Sequence, residues 1–159
     1  PPDNYIAFGY PVVTGDYETI DYQLGGTIPS RCNPSTKNLL RNNLPIFNCV
    51  KGFKVYFGAD TDNNGTVDSY YDNLSVTAFD NVTKIYNNLH TITFYILTHD
   101  GGIDRNFNYG SNTVVYSDNE VGLNISFSLN GVTDYNNYRW KIIKVSSKAI
   151  NIRGVELSD

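Results

Sequence analysis

Methionine is absent from this chain, and histidine, cysteine and charged residues are scarce. The two histidines, His90 and His99, flank one predicted strand, so they are not expected to share a metal ion. No Gly-x-Ser-x-Gly segment indicates a nucleophile elbow. Lys and Arg total 12 against 16 Asp and Glu, and the net charge of −4 argues against a nucleic-acid partner. No apolar run is long enough to predict a membrane span. We therefore expect a protein that is not an enzyme.

The length favours one folded unit. A chain of 159 residues is long enough to bury a hydrophobic core, and no linker or internal repeat divides it. Residues 1–159 are therefore expected to form a single domain. Because the chain begins at Pro1 and contains no methionine, we expect it to be processed or cut from a longer precursor.

The most informative segment is the polar run 60–68. Residues with a side-chain oxygen occupy alternate positions there: Asp60, Asp62, Asn64, Thr66 and Asp68. Gly65 follows the third of them, where a cation-binding loop turns sharply. This spacing suits Ca²⁺, with Thr66 offering its backbone carbonyl. The alternative is a polar hairpin turn, since Asp, Asn and Gly also dominate turns.

The last ligand of this loop is expected to come from outside the run. In an EF-hand the twelfth position is a bidentate glutamate, whereas here it is Tyr71. Asp72, one residue later, is the candidate. The predicted ligand set therefore extends from Asp60 to Asp72.

The two cysteines bracket a segment rich in proline and asparagine that has little means of packing itself. A disulfide between Cys32 and Cys49 would stabilise such a loop by about 3 kcal/mol. The alternative is a pair of buried thiols. Disulfides persist outside the cytosol. The loop 60–68 also has few carboxylates, which suits the weaker calcium affinity of extracellular sites. Both features predict an exported protein.

The remaining patterns are mainly those of strands. Alternating or β-branched apolar residues predict strands over residues 17–24, 47–57, 90–98, 113–116, 124–129 and 138–147. A short helix is predicted over 81–88, capped by Asp80, and a helical turn or two over 36–43. The expected fold is α+β, dominated by an antiparallel sheet.

Three segments resemble, in order, the PilW-type minor pilins of bacterial type IV pili. The run 44–62, LPIFNCVKGFKVYFGADTD, resembles that family's strand ending in aromatic-Gly-x-Asp-Thr-Asp before a polar turn. Residues 82–97 are similar to its short helix and following strand. Residues 138–154 are similar to its closing strand with a Tyr-Arg pair. The chain departs from the family at Thr98-His99 and at Trp140, where the family has arginines.

The resemblance implies a pilin-like head domain with a structural role. Its partners would be other pilin subunits, in a filament tip or a complex that primes assembly at the cell surface. The family's N-terminal membrane helix does not precede Pro1, so we expect it to have been removed or to come from another chain. The alternatives are a GspJ-like minor pseudopilin of type II secretion and a secreted calcium-dependent carbohydrate-binding or adhesive module.

Overall fold

A computed structural model of the chain describes residues 6–11 and 17–148. Strands make up most of the regular structure of that part: β1 (Ile6–Pro11), β2 (Tyr17–Gly25), β3 (Lys37–Arg41), β4 (Leu44–Ala59), β5 (Ser69–Tyr71), β6 (Leu89–Asp100), β7 (Thr113–Asp118), β8 (Leu123–Ser128) and β9 (Arg139–Lys148). Helix α1 (Val82–Asn88) and a 3₁₀ turn (Tyr135–Asn137) complete it. All six predicted strand regions are confirmed, whereas β1, β3 and β5 were not predicted.

Seven of these strands form one sheet with the order β1-β2-β3-β4-β6-β9, in which β5 pairs with β4. The pairs β1–β2, β2–β3, β3–β4 and β4–β5 are antiparallel. Strands β7 and β8 form a separate two-stranded sheet. Strand β4 therefore has β3 and β6 as its neighbours in the sheet order, and it leads directly into the polar run.

The expected α+β class is wrong, because the described residues form a sheet-dominated fold with one seven-residue α-helix. The helical turns predicted over 36–43 are instead strand β3, which buries Leu39 and Leu40. Arg41 pairs with Leu44 across a two-residue turn. Both residues of that turn, Asn42 and Asn43, have positive φ, at 48° and 64°. Such a turn matches the twist of a hairpin, so it favours strands on both sides.

Helix α1 lies close to its predicted range, but its cap differs from the prediction. Asn81, rather than Asp80, is the N-cap, and its side chain accepts a hydrogen bond from the Lys84 backbone N–H. Asp80 instead forms an exposed ion pair with Lys84. Among the described residues, no helix combines the length and apolarity needed to cross a bilayer.

The backbone divides into two compact units. The first contains the described residues up to Gly52 together with Ile96–Ser117 and Asn124–Ile142, and the second contains Phe53–Tyr95, Asp118–Leu123 and the described residues from Ile143 to Lys148. The side chains buried in the first unit include aliphatic and aromatic ones: Leu39, Val50, Ile96, Leu97, Ile125, Leu129, Phe127, Tyr138 and Trp140. In the second unit, the buried Phe79 makes edge contacts with Phe57 and Tyr71. The single domain expected from the length stays a prediction.

Candidate metal centre

The β4–β5 hairpin brings the two ends of the polar run together. Ala59, the last residue of β4, pairs with Ser69, the first residue of β5. The Asp68 backbone N–H donates to the Ala59 carbonyl at 2.7 Å. The Asp60 N–H donates to the carbonyl of Asn88, at the end of α1, at 2.8 Å. Residues 60–68 therefore form a closed loop that begins and ends at fixed points.

Three carboxylates converge in this loop. One oxygen each from Asp60, Asp62 and Asp68 lies within 4.8 Å of the others. Asp60 is buried, whereas Asp62 and Asp68 are exposed. Like charges held this close repel one another, and a bound cation would remove that repulsion. The group can therefore hold a metal ion.

Backbone N–H groups of the loop point inward at the same carboxylates. Asp60 accepts from the N–H of Asn64 through Oδ1 at 3.1 Å and from the N–H of Gly65 through Oδ2 at 2.9 Å. Asp68 Oδ2 accepts from the Thr61 hydroxyl at 2.6 Å and from its N–H at 2.7 Å. The Thr61 hydroxyl is the main reason that the pKa of Asp68 is lowered. The bonds to Asp68 therefore favour the ionised form that binds a cation.

Asn64 and Thr66, the other predicted ligands, lie in the same loop. Asn64 Oδ1 accepts from the Thr66 N–H at 2.8 Å, and its Nδ2 donates to Asp62 Oδ2 at 2.9 Å. Gly65 has φ of +87°, a backbone conformation that residues other than glycine rarely adopt. The roles of the Asn64 amide and the Thr66 carbonyl as ligands stay predictions.

Asp72, the last predicted ligand, is not among the three converging carboxylates. It follows β5, and its Oδ1 accepts from Asn73 Nδ2 at 2.9 Å. The pKa of Tyr56, on β4, is raised mainly by burial and secondly by the negative charge of Asp72, because Asp72 lies near Tyr56.

His90 lies beside the loop, which the sequence did not predict: its Nδ1 is 3.9 Å from Asp60 Oδ2. Only the adjacency of β4 and β6 brings these two residues together.

The predicted disulfide is confirmed. Cys32 and Cys49 are bonded, with their Cα atoms 5.0 Å apart, and both are buried. Asn33, which follows Cys32, is fully buried, and its N–H donates to His99 Nε2 at 3.0 Å. Its side chain donates to the Thr133 carbonyl at 2.6 Å. Burial lowers the pKa of His99, whose neutral form accepts the Asn33 bond.

A second charged cluster, which sequence reasoning missed, surrounds Lys144 on β9. Its Nζ lies 2.7 Å from Asp118 Oδ2 and 2.8 Å from Glu120 Oε2. The hydroxyl of the fully buried Tyr95 donates to the same Asp118 oxygen at 2.6 Å. Burial opposes the ionisation of Asp118, but the bonds from Lys144 and Tyr95 outweigh it and lower its pKa. Burial likewise opposes the charge on Lys144, yet its two carboxylate partners raise its pKa.

Comparison with known proteins does not place the chain in a family. No protein-family model, curated protein or solved structure matches it.

Proposed function

We propose that residues 60–68 bind one calcium ion, which has a structural role. The observation that carries this proposal is the convergence of the Asp60, Asp62 and Asp68 carboxylates in a loop closed by the β4–β5 ladder. All three donors are hard oxygens, and no cysteine belongs to the group. Oxygen donors suit Ca²⁺ better than they suit soft metal ions.

The ion would complete a ligand shell that the loop leaves partial. Calcium takes six to eight oxygens, more than three carboxylates supply in monodentate contact. We propose that the Asn64 amide oxygen, the Thr66 carbonyl and water supply the others. Because the loop begins and ends on paired strands, the bound ion would hold the β4–β5 hairpin in place.

Thermal unfolding in Ca²⁺ and in EDTA tests the proposal. Calcium at ten times its Kd should stabilise the fold by about 1.4 kcal/mol. For a chain of this size the melting temperature should then rise by roughly 3–6 °C. Asp60→Asn should abolish the rise, whereas Asp80→Asn, which changes an exposed carboxylate outside the loop, should retain it. Equal melting temperatures in Ca²⁺ and EDTA, with no binding heat in calorimetry, would overturn the proposal.

Asp72→Asn tests the extent of the ligand set. Because Asp72 lies outside the converging group, we expect this variant to keep the calcium affinity of the wild type. A tenfold loss of affinity would instead make Asp72 the last ligand.

We further infer that this is the head domain of a PilW-like minor pilin subunit, with an assembly role outside the cell. Three features support the inference. The run 44–62, which resembles the pilin family, includes β4 and enters the loop of residues 60–68, here called the metal loop. The resembling closing segment includes β9. The disulfide suits an oxidising compartment.

Binding experiments with purified minor-pilin heads test this role. Direct binding to the heads of other minor pilins encoded beside this protein would support it. Binding only to type II secretion pseudopilins would shift the assignment to a GspJ-like subunit, and binding to neither would overturn the assembly role. The calcium proposal has a separate readout, so the two can fail independently.

A groove beside the metal loop favours a second candidate, a secreted calcium-dependent carbohydrate-binding module. Its volume is about 460 Å³, and it offers hydroxyl, carboxylate and aromatic groups from Thr66, Asp68, Tyr70, His90 and Glu120. Such mixed polar and aromatic linings fix small ligands in binding sites. Calcium-dependent hits on a glycan array, without binding to pilin heads, would select this candidate.

A further inference from the structure

Two asparagines of this chain are followed by glycine, Asn64 and Asn130. Asparagine before glycine is prone to deamidation, because glycine has no side chain to hinder its backbone nitrogen. That nitrogen loses its proton and attacks the asparagine side-chain carbonyl carbon, and ammonia leaves as a succinimide ring closes. Water then opens the ring at either carbonyl, giving aspartate or isoaspartate. The net reaction consumes one water and releases one ammonia, so it needs no cofactor.

Asn130 lies in a turn that leaves this reaction open. The Val132 N–H donates to the Leu129 carbonyl at 3.0 Å and closes the turn. Gly131 has φ of +76°, as the third residue of a type II turn requires. The Asn130–Gly131 peptide is the central one of the turn, so the closing hydrogen bond does not use its N–H. Both residues are exposed, and no atom outside the neighbouring residues lies within 4 Å of where a Gly131 Cβ would be, as is also true of Gly65.

Asn64 has the same sequence context but different surroundings. The attacking nitrogen, that of Gly65, donates its proton to Asp60 Oδ2 at 2.9 Å. Both ends of the Asn64 amide are also bonded, its oxygen to the Thr66 N–H and its nitrogen to Asp62 Oδ2. Nearby carboxylates disfavour the negative charge that develops on the nitrogen and then on the carbonyl oxygen. The reaction at Asn64 must therefore break several bonds of the loop.

We propose that Asn130 is the site of spontaneous deamidation in the folded protein, and that the hydrogen bonds of the metal loop protect Asn64. The two sites differ in what the reaction would damage. Isoaspartate lengthens the backbone, which at Asn64 would disrupt the alternate spacing of Asp60, Asp62 and Asp68. At Asn130 the change falls on an exposed turn, where it replaces the amide that accepts a 3.0 Å bond from Asn112 Nδ2 with a carboxylate. The protection comes from the loop itself and does not depend on a bound calcium ion.

Peptide mapping by mass spectrometry tests the proposal. The intact protein is incubated in mildly alkaline buffer with EDTA, folded in one sample and unfolded in urea with reductant in another. Deamidation at each asparagine is followed with time, and the folded rate is divided by the unfolded rate at the same site. Folding should slow Asn64 by about tenfold or more, the factor expected from a hydrogen bond to a charged acceptor. Asn130 should change by less than about threefold, since the closing bond of its turn does not use the reacting peptide.

A variant identifies the protecting group. Asp60→Ala removes the acceptor of the Gly65 N–H, so deamidation at Asn64 should accelerate while Asn130 keeps its rate. Asp80→Ala, the control, should leave both rates unchanged. Acceleration at both sites in Asp60→Ala would mean that the variant unfolds, and the wild-type comparison then decides alone. Equal folded and unfolded rates at Asn64 in the wild type, or a folded Asn64 as fast as Asn130, would overturn the proposal.

Discussion

Lys144→Ala is expected to destabilise the protein by about 3 kcal/mol, because it leaves a buried carboxylate without its cation. The side chain of Asp118 is 2% exposed and that of Lys144 is 18% exposed, so water cannot replace the lost partner fully. Removing one partner of a buried ion pair typically costs about 3–5 kcal/mol. The lower end applies because Asp118 keeps its bonds from the Tyr95 hydroxyl and the Glu120 N–H.

Urea unfolding measures this cost. With a slope of about 2 kcal/mol per molar urea, the midpoint should fall by about 1.5 M. Lys141→Ala is a matched control, since Lys141 also lies on β9 and contacts Asp100 at 2.6 Å. That pair is exposed, at 45% and 65%, so its loss should cost at most about 1 kcal/mol.

The contrast between the two lysines tests whether burial decides the cost. Lys144→Met combined with Asp118→Asn should recover much of the stability, because no unpaired charge remains and the amide oxygen still accepts from Tyr95. Equal costs for Lys144→Ala and Lys141→Ala, or a cost below about 1 kcal/mol for Lys144→Ala, would refute the reasoning.

Three further predictions concern other parts of the fold. Replacing both Cys32 and Cys49 with serine should cost about 3 kcal/mol in urea unfolding, and an unchanged midpoint would contradict it. The pKa of His99 is lower in the folded protein than its unfolded-state pKa of about 6.5. The free energy of unfolding should therefore fall as the pH drops below about 6.5, because the unfolded state then binds more protons, and it should be retained above that pH. His99→Gln should flatten this slope, and an identical slope would exclude His99 as its source. Gly58→Ala should cost about 1–3 kcal/mol, because its Cβ would collide with the Thr91 hydroxyl, and a neutral effect would show that Thr91 can move.

Features encoded in consecutive residues were predictable from the sequence. The convergence of Asp60, Asp62 and Asp68 follows from alternate spacing within one short loop after a strand. Strand periodicity likewise identified six strand regions. The short helix was predicted for the same reason, although its N-cap is Asn81 and the predicted cap was the preceding residue, Asp80.

Features that depend on distant pairing were not predictable. The approach of His90 to Asp60, and of Tyr95 to Asp118 and Lys144, requires the order of strands in the sheet, which no local pattern contains. The wrong prediction of helical turns over residues 36–43 has a different cause. Adjacent Leu39 and Leu40 suit a helix or a strand equally, and the deciding information lay in the Asn-Asn turn that follows them.

The disulfide also determines how the chain would respond to pulling. Cys32 and Cys49 are 17 residues apart in sequence, and that length would extend to roughly 60 Å if it were free. The bond holds their Cα atoms 5.0 Å apart, so tension along the backbone passes through the sulfur atoms. Strand β3 and the first residues of β4 are therefore outside the mechanical path, and a load on the chain does not pull directly on their backbone.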